Sequence, residues 1–365
     1  MKIAVMGTRG VPANYGGFET FAQELSVRLA ARGHQVHVYG RSRYISRGLR
    51  EYRGVKLVVL PSIPNKYLDT VSHTLLSVLH GCLRRYDAVL ICNAANAFLC
   101  WIPRLVGQKT VLNVDGIERL RKKWGLPGRL FYRLGESLAL ITPNRVVSDA
   151  EVIREYYRRK YGKDTCFIPY GAPVGESGET GILERLGLRP AGYLLYVSRL
   201  EPENNADLLV RAYLASGVSQ LPLVIVGDAP YADEYLAELR VLAGRGNVIM
   251  PGAIYGDEYH DLLSRCTCYF QGSEVGGTHP ALLEAMGRGA LIVAHDTPEN
   301  LEVLGGSGIA CSFYDQEGLS NIISEIAGDH SKFMDYGMAA RTRVAALYSW
   351  ESVTDQYERL FNEML

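Results

Sequence analysis

No run of apolar residues in this 365-residue chain approaches the roughly 18 to 20 needed for a membrane-spanning helix. The opening segment, Met1 to Gly7, is too short and too strand-like for a secretory signal, so a cytoplasmic protein is expected. Cysteine is sparse as well. There are seven, an odd number without paired zinc-ligand spacing, and Cys266 and Cys268 form the one close pair. That speaks against a disulfide framework and a zinc module; all seven read as reduced, mostly core thiols. No Asp-x-Asp occurs anywhere, which removes the commonest metal-diphosphate signature.

Net charge is also missing, yet the zero conceals a division. Residues 1 to 170 hold 27 Lys and Arg against 12 Asp and Glu, leaving 12 basic and 27 acidic residues for the remainder. A basic first half points to an anionic partner, nucleic acid or membrane surface. No helix-turn-helix, zinc finger or RNA-recognition pattern accompanies the charge, so no nucleic acid is expected. The segment from Arg119 to Arg133 interleaves Arg121, Lys122 and Lys123 with Trp124, Phe131 and Tyr132. Two readings stay open here: a face for an anionic bilayer or a lipid diphosphate acceptor, or a solvated helix whose aromatics face the core.

The chain is longer than one hydrophobic core usually supports, and its 47% hydrophobic and 21% charged residues fit a folded protein of two domains. Short apolar runs alternate with helical patterns throughout. Strands are predicted at residues 2–6, 36–39, 57–60, 88–92, 111–114 and 145–148, and again at 193–197, 223–226, 248–250, 268–271 and 291–294. A Gly, Ser and Glu-rich stretch from Gly171 to Gly181 reads as a linker and hinge between the two series. The expected fold class is α/β, with two Rossmann-like doubly wound parallel-sheet domains facing a central cleft. Their predicted bounds are 1–172 and 173–345, with a terminal helix over 346–365 crossing back to the first domain.

The most informative stretch runs from Gly272 to Glu302. Pro280 suits a first helical turn, Thr278 is placed to cap it, and Gly276 with Gly277 permits close approach of a ligand to the backbone. Free amides at such a start, with the helix dipole behind them, attract phosphate. Ala281, Leu282, Ala285 and Met286 would form the buried stripe. Glu284, near that anion site, is suited to accept hydrogen bonds from a sugar hydroxyl. Arg199, after the first strand of the second series, offers a forked donor for a diphosphate, or else an ion pair with Glu201 or Glu203. Gly16 and Gly17 open the first helix in a glycine-rich loop without the G-x-G-x-x-G spacing of dinucleotide binders.

Seven segments in order then carry a resemblance: GTRGVPANYGGFET, LDTVSHTLLSVLH, VLNVDGIERLRKKW, FIPYGAP, SRLEPENN, LPLVIVGDAPY and VGGTHPALLEAMGRG. The chain resembles retaining GT-B glycosyltransferases of the broad family four, and most of all the rhamnosyltransferase-like subgroup that builds surface polysaccharides. The resemblance implies that Gly16 and Gly17 lie against donor phosphates, that Arg199 neutralises the diphosphate, and that Glu284 holds the ribose. It implies that Gly276, Gly277 and Thr278 donate to phosphate or sugar and that the base packs on Ile254. Three positions depart from the broad pattern. Gly276 stands where a first glutamate is usual, with Glu274 two residues off; Asn204, expected among the donor-binding residues, replaces a lysine; Asp115 replaces a histidine at the end of the fifth strand.

The implied activity is sugar transfer, with L-rhamnose the expected sugar, from a nucleoside diphosphate sugar to a glycan or lipid-linked glycan acceptor. Retention, no cofactor and no metal are expected, with Asp115, Arg199 and Thr278 as catalytic candidates. Arg121, Lys122, Lys123 and Trp124 would form an acceptor or membrane surface on the inner face of the cell membrane. Two other classes stay open: a non-catalytic nucleotide-sugar-binding protein, which the missing glutamate and lysine would suit, and a nucleotide-dependent epimerase or oxidoreductase.

Overall fold

The computed structural model describes residues 1–13, 16–65, 68–122, 124–228 and 232–365. The chain divides into two compact units, residues 1–171 with 350–365, and residues 172–349. The first unit contains β1 (Lys2–Met6), α1 (Gly17–Ala31), β2 (Gln35–Arg41), β3 (Glu51–Tyr52), β4 (Val55–Leu60), α2 (Asp69–Cys82) and β5 (Ala88–Cys92). It continues with α3 (Trp101–Leu105), β6 (Lys109–Val114), α4 (Leu126–Leu138), β7 (Arg145–Ser148), α5 (Glu151–Tyr161) and β8 (Cys166–Phe167). The eight strands lie in the order β3-β4-β2-β1-β5-β6-β7-β8, parallel except for the β3–β4 pair. Central strands such as β5 are buried along their whole length, the reason they read as unbroken apolar runs.

The second unit contains α6 (Ile182–Arg185), β9 (Leu194–Val197), α7 (Ala206–Ser216), β10 (Leu223–Val226), α8 (Asp233–Ala243), β11 (Val248–Gly252) and α9 (Gly256–Arg265). Then come β12 (Cys268–Gln271), α10 (Pro280–Arg288), β13 (Leu291–Ala294), α11 (Pro298–Leu304), β14 (Ile309–Ala310), α12 (Gln316–Gly328) and α13 (Met334–Leu347). Its six parallel strands take the order β11-β10-β9-β12-β13-β14. The core packs Leu194, Ile225, Phe270 and Val293 of the sheet against Leu209, Tyr213, Leu319 and Ile323 of α7 and α12.

The last helix, α14 (Trp350–Met364), belongs to the first unit. It lies on α1, where Arg32 meets Glu351 at 2.8 Å, Asp355 at 2.6 Å and Glu358 at 2.9 Å. Its Tyr357 is fully buried and its hydroxyl accepts from the Asn113 amide at 2.7 Å. Gly171 allows this closure, since a Cβ there would meet the Trp350 ring at 2.6 Å.

Two details depart from expectation. Strands β3, β8 and β14 were not anticipated; each is a two-residue strand at a sheet edge, too short to show a period. The stretch after Gly171 is not a loose linker either. Ala172 pairs with Ser349, the Gly175 amide donates to Gly287 at 3.0 Å, and the Thr180 amide donates to Asp261 at 2.7 Å. The glycine at 287 makes this possible, because a Cβ there would stand 2.2 Å from the Pro173 carbonyl oxygen.

Candidate functional site

In an open parallel sheet, ligands settle at the carboxyl ends of strands where the strand order reverses. In the second unit that point lies between β9 and β12, because the chain runs outward through β10 and β11 and then returns to the other side of β9. Arg199 follows β9, and the Gly272 to Thr278 loop follows β12. The fold therefore brings both candidate anion-binding segments to one crevice.

The loop after β9 is held stiffly. The Arg199 carbonyl accepts from the Glu201 amide at 2.8 Å and from the Asn204 side chain at 2.6 Å. Asn204 thus spends an amide hydrogen on orienting Arg199, a positioning task added to the donor contact expected of it. The Arg199 guanidinium is about one-third exposed and lies 3.8 Å from Glu201, beyond hydrogen-bond range, so the ion pair is loose. Asn205, in the left-handed region with φ 59°, donates to the Gly272 carbonyl and to the Glu274 carboxylate, both at 2.9 Å. The Glu274 amide donates to the Glu203 carbonyl at 3.0 Å. Gly272 admits this lacing, since a Cβ would meet the Asn204 carbonyl oxygen at 2.6 Å. The two loops form one piece.

Glu274 accordingly acts as a bracket. Besides Asn205 it accepts from the Tyr314 hydroxyl, which pushes that phenol up to about 12. Asn300 completes the frame by donating to the Ser273 and His295 carbonyls, at 3.2 and 3.0 Å. Neither Asn205, Tyr314 nor Asn300 stood out in the sequence. A doubled asparagine before an apolar helical pattern was the available signal for Asn205, because asparagine tolerates the left-handed conformation.

Helix α10 starts one residue later than expected. Its cap position is His279 rather than Thr278, and the His279 side chain makes no capping hydrogen bond. Gly276, Gly277 and Thr278 are all buried on the approach to that end. The His279 ring lies over Gly276, where a Cβ would meet it at 2.4 Å, so the histidine fills the space a longer side chain at 276 would need. The helix is buried more broadly than predicted: Leu283, Glu284 and Gly287 join Leu282, Ala285 and Met286, while Ala281 is only half-buried. Glu284, 6% exposed, accepts from the Tyr259 hydroxyl at 2.6 Å. Burial and this carboxylate hold the Tyr259 phenol well above its ordinary value. Ile254 lies two residues past β11, the edge strand, half-buried and two strands away from β9.

In the first unit the strand order reverses between β1 and β5. Gly7 follows β1 with φ 91°, and a Cβ there would meet the Cys92 carbonyl oxygen at 2.4 Å. Gly16 caps α1 and Gly17 is its first residue. The first turn also carries Glu19, which is buried and accepts from the Arg9 amide at 2.8 Å. Asp115 follows β6, two strands from β1, half-buried, and accepts from the Gly116 amide at 2.9 Å.

The proposed acceptor or membrane residues separate. Arg121 is 3% exposed and pairs with Glu118 at 2.7 Å; Trp124 is 9% exposed and packs on Tyr132 and Ala95. Both are buried, which corrects their assignment to a bilayer face: Glu118 draws in Arg121, and Trp124 packs on Tyr132 of α4. Lys122 is exposed, and Lys123 lies outside the described residues. Arg119 is likewise drawn inward, onto the buried Glu136 at 3.0 Å. Among the described residues no group of three or more His, Cys, Asp and Glu is gathered to hold a metal ion, and no helix is long and apolar enough to cross a membrane.

Comparison with known proteins fits this geometry. Residues 16–171 match the family model "Glycosyl transferase 4-like domain", and residues 188–343 match "Glycosyl transferases group 1". The chain thus carries the two domains of the GT-B glycosyltransferases. It is 26% identical over 179 residues to the O-antigen chain mannosyltransferase B of Escherichia coli, a match spanning 48% of this chain and about half, 47%, of that relative. Two solved structures share the fold end to end. The Anabaena HepE protein in complex with UDP-glucose superposes with a TM-score of 0.81 at 18% identity, covering all of both chains. Sucrose-phosphate synthase from Thermosynechococcus elongatus gives 0.79 at 18% identity, covering 100% of this chain and 98% of that one.

Proposed function

We propose that the protein transfers a sugar, L-rhamnose, from a nucleoside diphosphate sugar to a glycan or lipid-linked glycan acceptor, with retention and without metal. The observation that carries this reading is the joining of Arg199 and the amide-rich approach to α10 at one strand-order reversal, with Glu284 of the same helix held by Tyr259. Arg199 and the α10 end would take the diphosphate; Glu284 would accept from the ribose hydroxyls. Fixed cations and amide dipoles stabilise a departing diphosphate because they need not reorient as charge develops. That role falls to Arg199 and Thr278 in the absence of the usual lysine. Asp115 would orient a sugar or acceptor hydroxyl, and with retention the departing phosphate oxygen takes the acceptor proton. The bound UDP-glucose of the Anabaena neighbour and the glycan activity in the name of the E. coli relative support a nucleotide sugar and a glycan as substrates.

The test is a panel of dTDP-rhamnose, UDP-glucose and GDP-mannose. Binding is read by thermal shift, and transfer is then measured with membrane lipid extract in chelator. Selective stabilisation by one donor followed by turnover is expected. Binding with no turnover of any donor would reduce the protein to a nucleotide-sugar binder, and a requirement for added divalent metal would remove the metal-free step.

A further inference from the structure

Helix α4 presents its apolar residues the wrong way round for a helix of a self-contained domain. Tyr132, Gly135 and Glu136 face inward, while Leu126, Leu130 and Leu134 face out, 71%, 55% and 57% exposed. Their spacing of four residues makes one continuous stripe along the helix. Arg129 and Arg133, both exposed, recur at the same spacing beside it.

The stripe does not stand alone. Arg104 of α3 donates to the Thr142 carbonyl just past α4 at 2.6 Å, and Cys82 of α2 reaches the Ile102 carbonyl of α3. Across this layer Leu83, Trp101 and Leu105 are 83%, 47% and 74% exposed. Monomeric soluble proteins rarely leave so many large apolar side chains on neighbouring elements uncovered.

Charge identifies what covers them. From residue 70 to residue 145 there are eleven Lys and Arg but four acids. Glu136 is buried among Arg119, Lys160, Tyr156 and Tyr161, and Glu118 pairs with Arg121. A second copy laid face to face on this surface would set arginines against arginines with no acid on α4's outer side to pair them. Leucines and a tryptophan flanked by arginines suit a lipid interface, where the apolar groups enter the acyl boundary and the cations meet anionic headgroups.

We infer that the outer face of α4, continued by α3 and the end of α2, docks on an anionic lipid bilayer. The inference rests on the lipid-linked acceptor proposed above and moves the contact from Arg121 and Trp124 to the leucine stripe. The stripe starts eleven residues after Asp115, at the carboxyl edge of the sheet. A lipid anchor in the bilayer would therefore leave its head group at the edge where Asp115 lies.

Trp101 is an internal reporter, since the other two tryptophans, Trp124 and Trp350, are buried. The full chain is floated with phosphatidylcholine vesicles with and without phosphatidylglycerol, and donor binding is measured in parallel without lipid. Flotation only with the anionic vesicles, a blue shift of Trp101 and weakening by salt are expected. The variant L126S/L130S/L134S should lower the bound fraction about tenfold or more, because each leucine withdrawn loses buried apolar area. R129E/R133E should abolish the preference for anionic lipid, and both variants should keep the parent's melting temperature and donor binding. A parent that stays at the bottom, a serine variant that floats like the parent, or one that merely turns a dimer into a monomer would each overturn the inference. Donor binding that persists in any of these cases leaves the proposed transfer standing, and its absence strikes at the transfer itself.

Discussion

The two units each place a helix N-terminus at the point where strand order reverses, but the two ends differ in charge. Helix α1 carries Glu19 in its first turn, buried and already accepting from the Arg9 amide, so a carboxylate offsets the positive end of the dipole. Helix α10 has no acid in its first turn; Glu284 sits one step further along, tied to Tyr259. Although the first unit is the basic one overall, the end proposed to take a diphosphate is in the acidic unit. Net charge governs which surfaces a domain approaches, while an acid in the first turn of a helix offsets the dipole that would draw an anion to that end.

The strongest way to break this comparison is Arg199→Ala. Removing the guanidinium that follows β9 should lower transfer about a hundredfold to a thousandfold, the range seen when a single charge-stabilising donor is lost. The effect should fall on kcat/KM, with melting unchanged. A loss under fivefold would mean that the diphosphate is held elsewhere.

A second contrast concerns acid. His73 of α2 is fully buried, donates from Nε2 to the Gly40 carbonyl, and is held down at about 4 by burial and then by the nearby Arg41. Between about 6.5 and 4 the unfolded chain binds the proton that the folded one refuses, so stability falls as pH drops through that window. The total is about 3 kcal/mol from one such site. Urea melts of the parent and of His73→Gln across this range should show a steep slope in the first and a flatter one in the second; equal slopes would refute the assignment.

Smaller effects sharpen the picture. Gly287→Ala should cost about 1 to 3 kcal/mol, because the new methyl meets a backbone carbonyl of the docked 172–181 segment and forces it to shift. Denaturant unfolding should register this, with local amide exchange at Gly175 rising. Tyr259→Phe removes one neutral donor from the Glu284 carboxylate and should weaken donor binding about fivefold to tenfold, read by calorimetry. Glu19→Gln should change donor affinity less than about twofold if α1 is not the diphosphate end; a tenfold gain would reverse the comparison between the two helices.

Much of this was legible in the residues themselves. The alternation of apolar runs and helical periods specified two parallel sheets, and Gly276 to Pro280 announced a helix start, because those features depend on local sterics and a repeating pattern of burial. The two-residue edge strands had no period to show. The direction in which Arg121, Trp124 and the α4 leucines point is a matter of tertiary packing: the same alternation of basic and apolar residues serves a core or a surface, and only the turn before α4 chooses between them. Glu274, two residues from the usual glutamate position, had no readable role in the sequence because the residues that hold it, Asn205 and Tyr314, lie 69 and 40 residues away along the chain. Sequence by itself determined which residue types stand at the strand ends; the fold decided which of those groups brace one another, because contacts between residues far apart along the chain depend on how the sheets and loops pack.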